Sequence, residues 1–211
     1  AGVTGGTGFN MQTSSALTLE NRASLVMNDL TRGLVATGTP TPIEAAVTVD
    51  GSTLTAENIG GNFSNGGQWT IKNGATVTIK QCVNNGLSAN TVTVDKAELT
   101  IEDVGYRGII INDSNGALKI QSNARVSVTN TCNTTDSNAT SIYKDKVAVQ
   151  LAANTNPVDF TLDKTSSLNL GGDNTKVNTE SGATNSIDGS INGTVLVNED
   201  SDSFVVTYKN S

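Results

Sequence analysis

Histidine is absent from this chain, cysteine occurs twice, tryptophan once and proline three times in 211 residues. Each shortage removes something. Without histidine there is no Ser-His-Asp triad and no zinc site of the His-Cys kind. Apolar residues make up 36% and aromatics 4%. The apolar figure leaves out the 21 glycines, which the usual range of roughly 45–50% includes, and it is lean for one thick core. No apolar run approaches the roughly 18 residues that a membrane helix needs. The 13 Lys and Arg are scattered among 20 Asp and Glu, a net charge of −7, so the basic stripe of a nucleic-acid or anionic-membrane binder is missing. The chain opens at Ala1 with no visible signal peptide, and a processed mature form or trimmed segment is expected.

What is abundant is Asn, Thr, Ser, Gly and Val, a composition of strands and turns. The stretch from Trp69 to Ile79 has two short apolar–polar alternations hinged at Asn73-Gly74. The pattern returns from Leu17, Val47, Val92, Leu118 and Phe160. A third apolar segment follows each pair in the better copies: Leu87–Ala89, Ile109–Ile111 and Val147–Leu151. Apolar positions that recur every twenty-odd residues signal a solenoid, and three strands per repeat make it three-sided. The expected fold is all-β: a single right-handed parallel β-helix of about seven coils with caps at both ends. Residues 1–16 would be the N-terminal cap, 17–197 the helix with an inserted loop near 133–146, and 198–211 a capping strand. Leu19, Ala23, Val26 and Leu30 also share one helical face, with Gly33 as a stop. The strand-pair reading is favoured there. Gly38–Pro42 must leave the ladder, since proline cannot donate to it.

Stacking makes further expectations specific. Leu17, Val47, Trp69, Val92, Leu118 and Phe160 form an inward row, which makes Trp69 a core residue rather than a sugar-stacking platform. Cys82 and Cys132 fall at nearly equal offsets in coils two apart, roughly 9.6 Å at the strand spacing. A disulfide needs Cα atoms within about 7 Å. Two free, buried thiols are therefore expected, in a row with Leu30, Ile59 and Val104. Thr18, Thr48, Thr70, Thr93 and Thr161 point outward, interrupted by Lys119; strand propensity explains this row more simply than ordered-water or ice binding. Lys72 should sit between Asp50 and Asp95, and Lys80 beside Glu102, as cross-strand pairs.

The phrases Ile71–Ile79 and Asn115–Ile120 resemble those of bacterial cell-surface proteins with pectate-lyase-like right-handed β-helices, over about residues 17–170. The resemblance implies the fold. Its members include polysaccharide-cleaving enzymes, adhesins and phage tail parts, and fold does not choose among them. No catalytic motif of the pectin-degrading members has matching positions here.

Asp103, Tyr106, Arg107 and Asp113 combine acids with an arginine, the ingredients of a carbohydrate site, although a surface turn at Gly105 with a charge pair is the simpler reading. Tyr143, Lys144 and Lys146 add a basic–aromatic feature beside the inserted loop. Glu199, Asp200 and Asp202 form a carboxylate-rich loop suited to Ca²⁺, but without the glycine and spacing of an EF-hand; no cofactor is otherwise expected. Asn62, Asn133, Asn138 and Asn192 head sequons. The leading expectation is a non-catalytic structural or adhesive module, secreted or on a cell surface, binding a glycan or protein. A carbohydrate-active or sugar-binding β-helix acting on an acidic polysaccharide is the alternative. So is a self-assembling fibre or tailspike-like subunit joined through its coil ends.

Overall fold

The structure, a computed structural model, describes residues 6–12, 14–37, 45–111, 113, 115–134, 146–151, 158–171, 176–180, 185–199 and 202–208. Every regular element among them is a strand, and the strands, numbered along the chain, stack into three walls.

The first wall holds β2 (Ala16–Leu19), β5 (Ala46–Asp50), β8 (Gln68–Lys72), β11 (Thr91–Asp95), β14 (Ala117–Gln121), β17 (Asp159–Leu162) and β20 (Asn185–Ile187). The second holds β3 (Ser24–Leu30), β6 (Thr53–Ile59), β9 (Thr76–Cys82), β12 (Glu98–Val104), β15 (Arg125–Thr129) and β18 (Ser167–Asn169). The third holds β1 (Thr7–Gln12), β4 (Arg32–Thr37), β7 (Ser64–Asn65), β10 (Leu87–Ala89), β13 (Ile109–Ile111), β16 (Val147–Leu151) and β19 (Lys176–Glu180). The long β21 (Ser190–Glu199) pairs with β18 at one end and β19 at the other, joining the second and third walls. All this pairing is parallel; only β22 (Asp202–Tyr208) runs back antiparallel along β21. The chain is a parallel β-helix, and its seven first-wall strands enclose six turns, against about seven coils expected.

The register follows the repeat read from the sequence. Leu17 pairs with Val47, Val47 with Trp69, Trp69 with Val92, Val92 with Leu118 and Leu118 with Phe160. From Val47 to Phe160 this row is at most 3% exposed, because parallel stacking turns each inward side chain onto its equivalents above and below. Burying such side chains contributes about 1.5–3 kcal/mol each. The lone tryptophan is a core residue, tilted against Phe63 with ring centroids 5.8 Å apart. The corner between first and second walls turns at Asn73-Gly74, where φ is 57° and 80°, the left-handed region that asparagine tolerates and glycine adopts freely.

Residues 17–30 form β2 and β3, not a helix. Gly33, the supposed helix stop, lies inside β4, where a Cβ would stand 2.4 Å from the Phe63 ring. It is there for close packing. The excursion at 38–44 lies outside the described residues, as do 135–145 of the inserted loop.

The cysteines need a correction. Both thiols are free, and Cys82 is buried in the row with Leu30, Ile59 and Val104. Cys132 is not in that row and is only half-buried. Glu102 pairs with Thr129 and Asn130 donates to the Asp103 carboxylate, so the count carries Thr131, not Cys132, to the position after Val104. Cys132 lies one residue further on, its Sγ 3.4 Å from the Val147 carbonyl oxygen.

Candidate functional site

Local rules place the sequence-derived candidates at different corners. Asp103 ends β12 in the left-handed region (φ 57°), and its carboxylate accepts from Asn130 of the next coil. Tyr106 and Arg107 follow in the turn to β13. That turn is fixed by backbone: the Tyr106 N–H donates to the Asn84 carbonyl, and the Arg107 carbonyl accepts from the Gly86 N–H. Side chains stack there too. The Asn85 N–H donates to Asn62 Oδ1 at 3.1 Å, and the Arg107 N–H donates to Asn85 Oδ1 at 3.1 Å. Asn62, Asn85 and Arg107 each stand three residues beyond Ile59, Cys82 and Val104, so the asparagine rung is a product of the repeat. Asp113 lies past β13 at the next corner, where its carbonyl accepts from the Gly116 N–H. Asp103, Tyr106 and Arg107 thus share a corner that Asp113 does not.

Lys146 is exposed and immediately precedes β16; Tyr143 and Lys144 lie outside the described residues. Glu199 and Asp202 face each other as the last pair of the β21–β22 ladder, and Asp200 lies outside the described residues. Among the described residues no three His, Cys, Asp or Glu are grouped to hold a metal ion. Among the described residues no helix is long and apolar enough to cross a membrane.

The regular geometry is on the walls. Thr18, Thr48, Thr70, Thr93, Lys119 and Thr161 are consecutive partners down the first wall, as their spacing implied. The second wall carries a row that sequence reading missed: Thr55, Thr78, Thr100 and Ser127 pair in succession, with Val26 above them. The signal was present in the second alternation of each repeat, two residues before the turn-side position. Flanking charges pair as expected. Lys72 Nζ lies 3.3 Å from Asp50 and Lys80 Nζ 2.8 Å from Glu102. The hydrogen bond from Lys80 to Glu102, helped by its charge, raises the lysine pKa. Asp95, the other neighbour of Lys72, accepts instead from Gln121 Nε2 at 3.0 Å.

Two shallow grooves run along the corner between first and second walls. One, about 310 Å³, is lined by Gly74, Thr76, Lys96, Glu98, Asn123 and Arg125, with the Glu98–Arg125 pair at 3.5 Å. The other, about 360 Å³, is lined by Glu20, Arg22, Asp50 and Asn73 among others. At the same corner lower down, desolvation works to raise the Asp163 pKa. Hydrogen bonds from the Ser122 N–H, the Ser166 hydroxyl and both donors of Thr165 outweigh it and hold the carboxyl down at about 2. These grooves supply hydroxyls, amides and paired charges.

Comparison with known protein families, with curated proteins and with solved structures finds no match to this chain.

Proposed function

We propose that the chain is a non-catalytic structural or adhesive module of a secreted or cell-surface protein, and that its walls bind an extended glycan or protein surface. The observation that supports this most is the outward row Thr55–Thr78–Thr100–Ser127, beside a second threonine row on the first wall. Hydroxyls repeated at the strand spacing of about 4.8 Å present donors and acceptors in a regular array. The backbone ladder beneath them limits the entropy lost on binding. An array of that kind suits a ligand that is itself long and repetitive. The Asn-Gly-Ala phrases, similar to those of pectate-lyase-like surface β-helices, point the same way.

The test is a glycan array combined with a cell-binding assay. Binding is expected, and replacing Thr78 and Thr100 together by lysine should abolish it while the circular dichroism spectrum stays that of the parent. No binding to any glycan or cell overturns the reading. Turnover of polygalacturonate that needs Ca²⁺ and is lost in Arg107→Ala would replace it with a polysaccharide-cleaving enzyme.

A further inference from the structure

The two ends of the β-helix are built differently. At the C-terminal end β21 crosses from one wall to another and β22 runs back along it, and Phe160, Leu162, Leu168 and Leu170 beneath are at most 1% exposed. At the N-terminal end, among the described residues, β1, β2 and β3 each pair on one side alone. The inward rows are cut there. Leu17, Leu19, Leu25 and Leu30 are only partly buried and Phe9 is 37% exposed, whereas their partners Val47, Val49, Leu54, Ile59 and Leu34 are at most 3% exposed. An open core end with three free strand edges invites pairing with further strands.

We propose that this end is a homodimer interface, in which β3 pairs antiparallel with β3 of a second copy across a two-fold axis at Val26. Three observations select that occupant and register. First, β3 is the longest of the three free edges. The Thr53 N–H donates to the Ala23 carbonyl, so Ala23, Leu25 and Met27 bond to β6. Alternation then leaves the N–H and C=O of Ser24, Val26 and Asn28 on the open side. Second, Val26 is 60% exposed in a row otherwise made of Thr, Ser and Asn, and an antiparallel two-fold sets it against its own copy. Third, the charges complement themselves. Glu20 and Arg22 precede β3, Asp29 lies near its end and Arg32 follows it; residues 1–37 contain no other charged side chains, so the whole net −7 lies beyond them. Antiparallel pairing about Val26 brings Glu20 and Arg22 of one copy over Asp29 and Arg32 of the other. The contact is isologous and closes at two copies.

The proposal stands apart from the adhesive role and is tested without a ligand. Sedimentation equilibrium of the intact chain should give twice the chain mass of 21.7 kDa. Glu20→Arg should weaken association by about tenfold, and Glu20→Arg with Arg32→Glu should restore it, as paired charges at an interface require. Under mild oxidation Val26→Cys should cross-link to a covalent dimer. Val83→Cys, equally exposed at 59% but away from this end, should not. A native-fold monomer at every concentration, open-ended oligomers, or a dimer in which Val26→Cys fails to cross-link would each overturn the proposal.

Discussion

Asp163 and Cys82 show how little of this chain's side-chain chemistry is left uncommitted. The carboxylate of Asp163 receives the Ser122 N–H at 2.5 Å, the Thr165 N–H at 2.9 Å and the Thr165 hydroxyl at 2.8 Å, which closes one corner and ties it to the coil above. Its folded pKa of about 2 lies below the ordinary 3.8. The unfolded chain therefore takes up the proton first, and the stabilisation is present above about pH 3.8 and lost as pH falls toward 2. The melting temperature of the parent should drop through that window, and Asp163→Asn should flatten the drop. At neutral pH Asp163→Asn should cost about 1 kcal/mol, since solvent weakens hydrogen bonds to an exposed charge. Burial pushes the Cys82 thiol up to about 12, and the thiolate is the reactive form. Iodoacetamide at pH 8 should modify Cys132 in the native chain well before Cys82. Mass spectrometry of timed samples checks the order. At this scale sequence reading succeeded where the ladder fixes the answer, at Trp69 and Cys82. It failed at Cys132, where offset was counted across two turns. A single added residue at a corner is invisible to apolar spacing yet moves a side chain off its row.

The strands and corners were legible because three constraints coincide: alternation, strand propensity and turn residues at fixed offsets. The short third wall was the faintest, since β7 has two residues and β10 and β13 have three each, too few to show a period. What positions these strands is backbone proximity at glycines. A Cβ on Gly105 would lie 2.0 Å from the Val83 carbonyl oxygen, so Gly105→Ala must push two coils apart, and about 1–3 kcal/mol should be lost to overpacking. Gly74 is different: a Cβ there meets nothing, but φ is 80°. Gly74→Ala should therefore cost about 1–2 kcal/mol through backbone strain alone. Urea unfolding of both variants separates the causes. Gly105→Ala should change the exchange of amides in neighbouring coils, while Gly74→Ala should leave them as they were.

Across the whole molecule each coil touches its two neighbours and little else, so stability is a sum of coil and interface terms rather than the property of one core. This is also why function was less legible than fold. A threonine that favours a strand and a threonine that contacts a ligand are the same letter in the same row, and only the ligand distinguishes them. The arrangement has a direct consequence for local opening. Central coils have a covered face on both sides, whereas the first coil has partly exposed leucines and three free edges. At concentrations low enough for the chain to be monomeric, opening free energy should rise from Leu17 and Leu25 toward Val77, Leu99 and Ile101, all three of which are 0% exposed. Native-state hydrogen exchange should show that gradient, slowest in β9 and β12. Leu99→Ala should cost about 2–5 kcal/mol. Because its neighbours are Val77 and Val126, exchange should quicken most in those coils and least in β2 and β3. Uniform acceleration at every amide would show instead that the coils open together, as one cooperative unit.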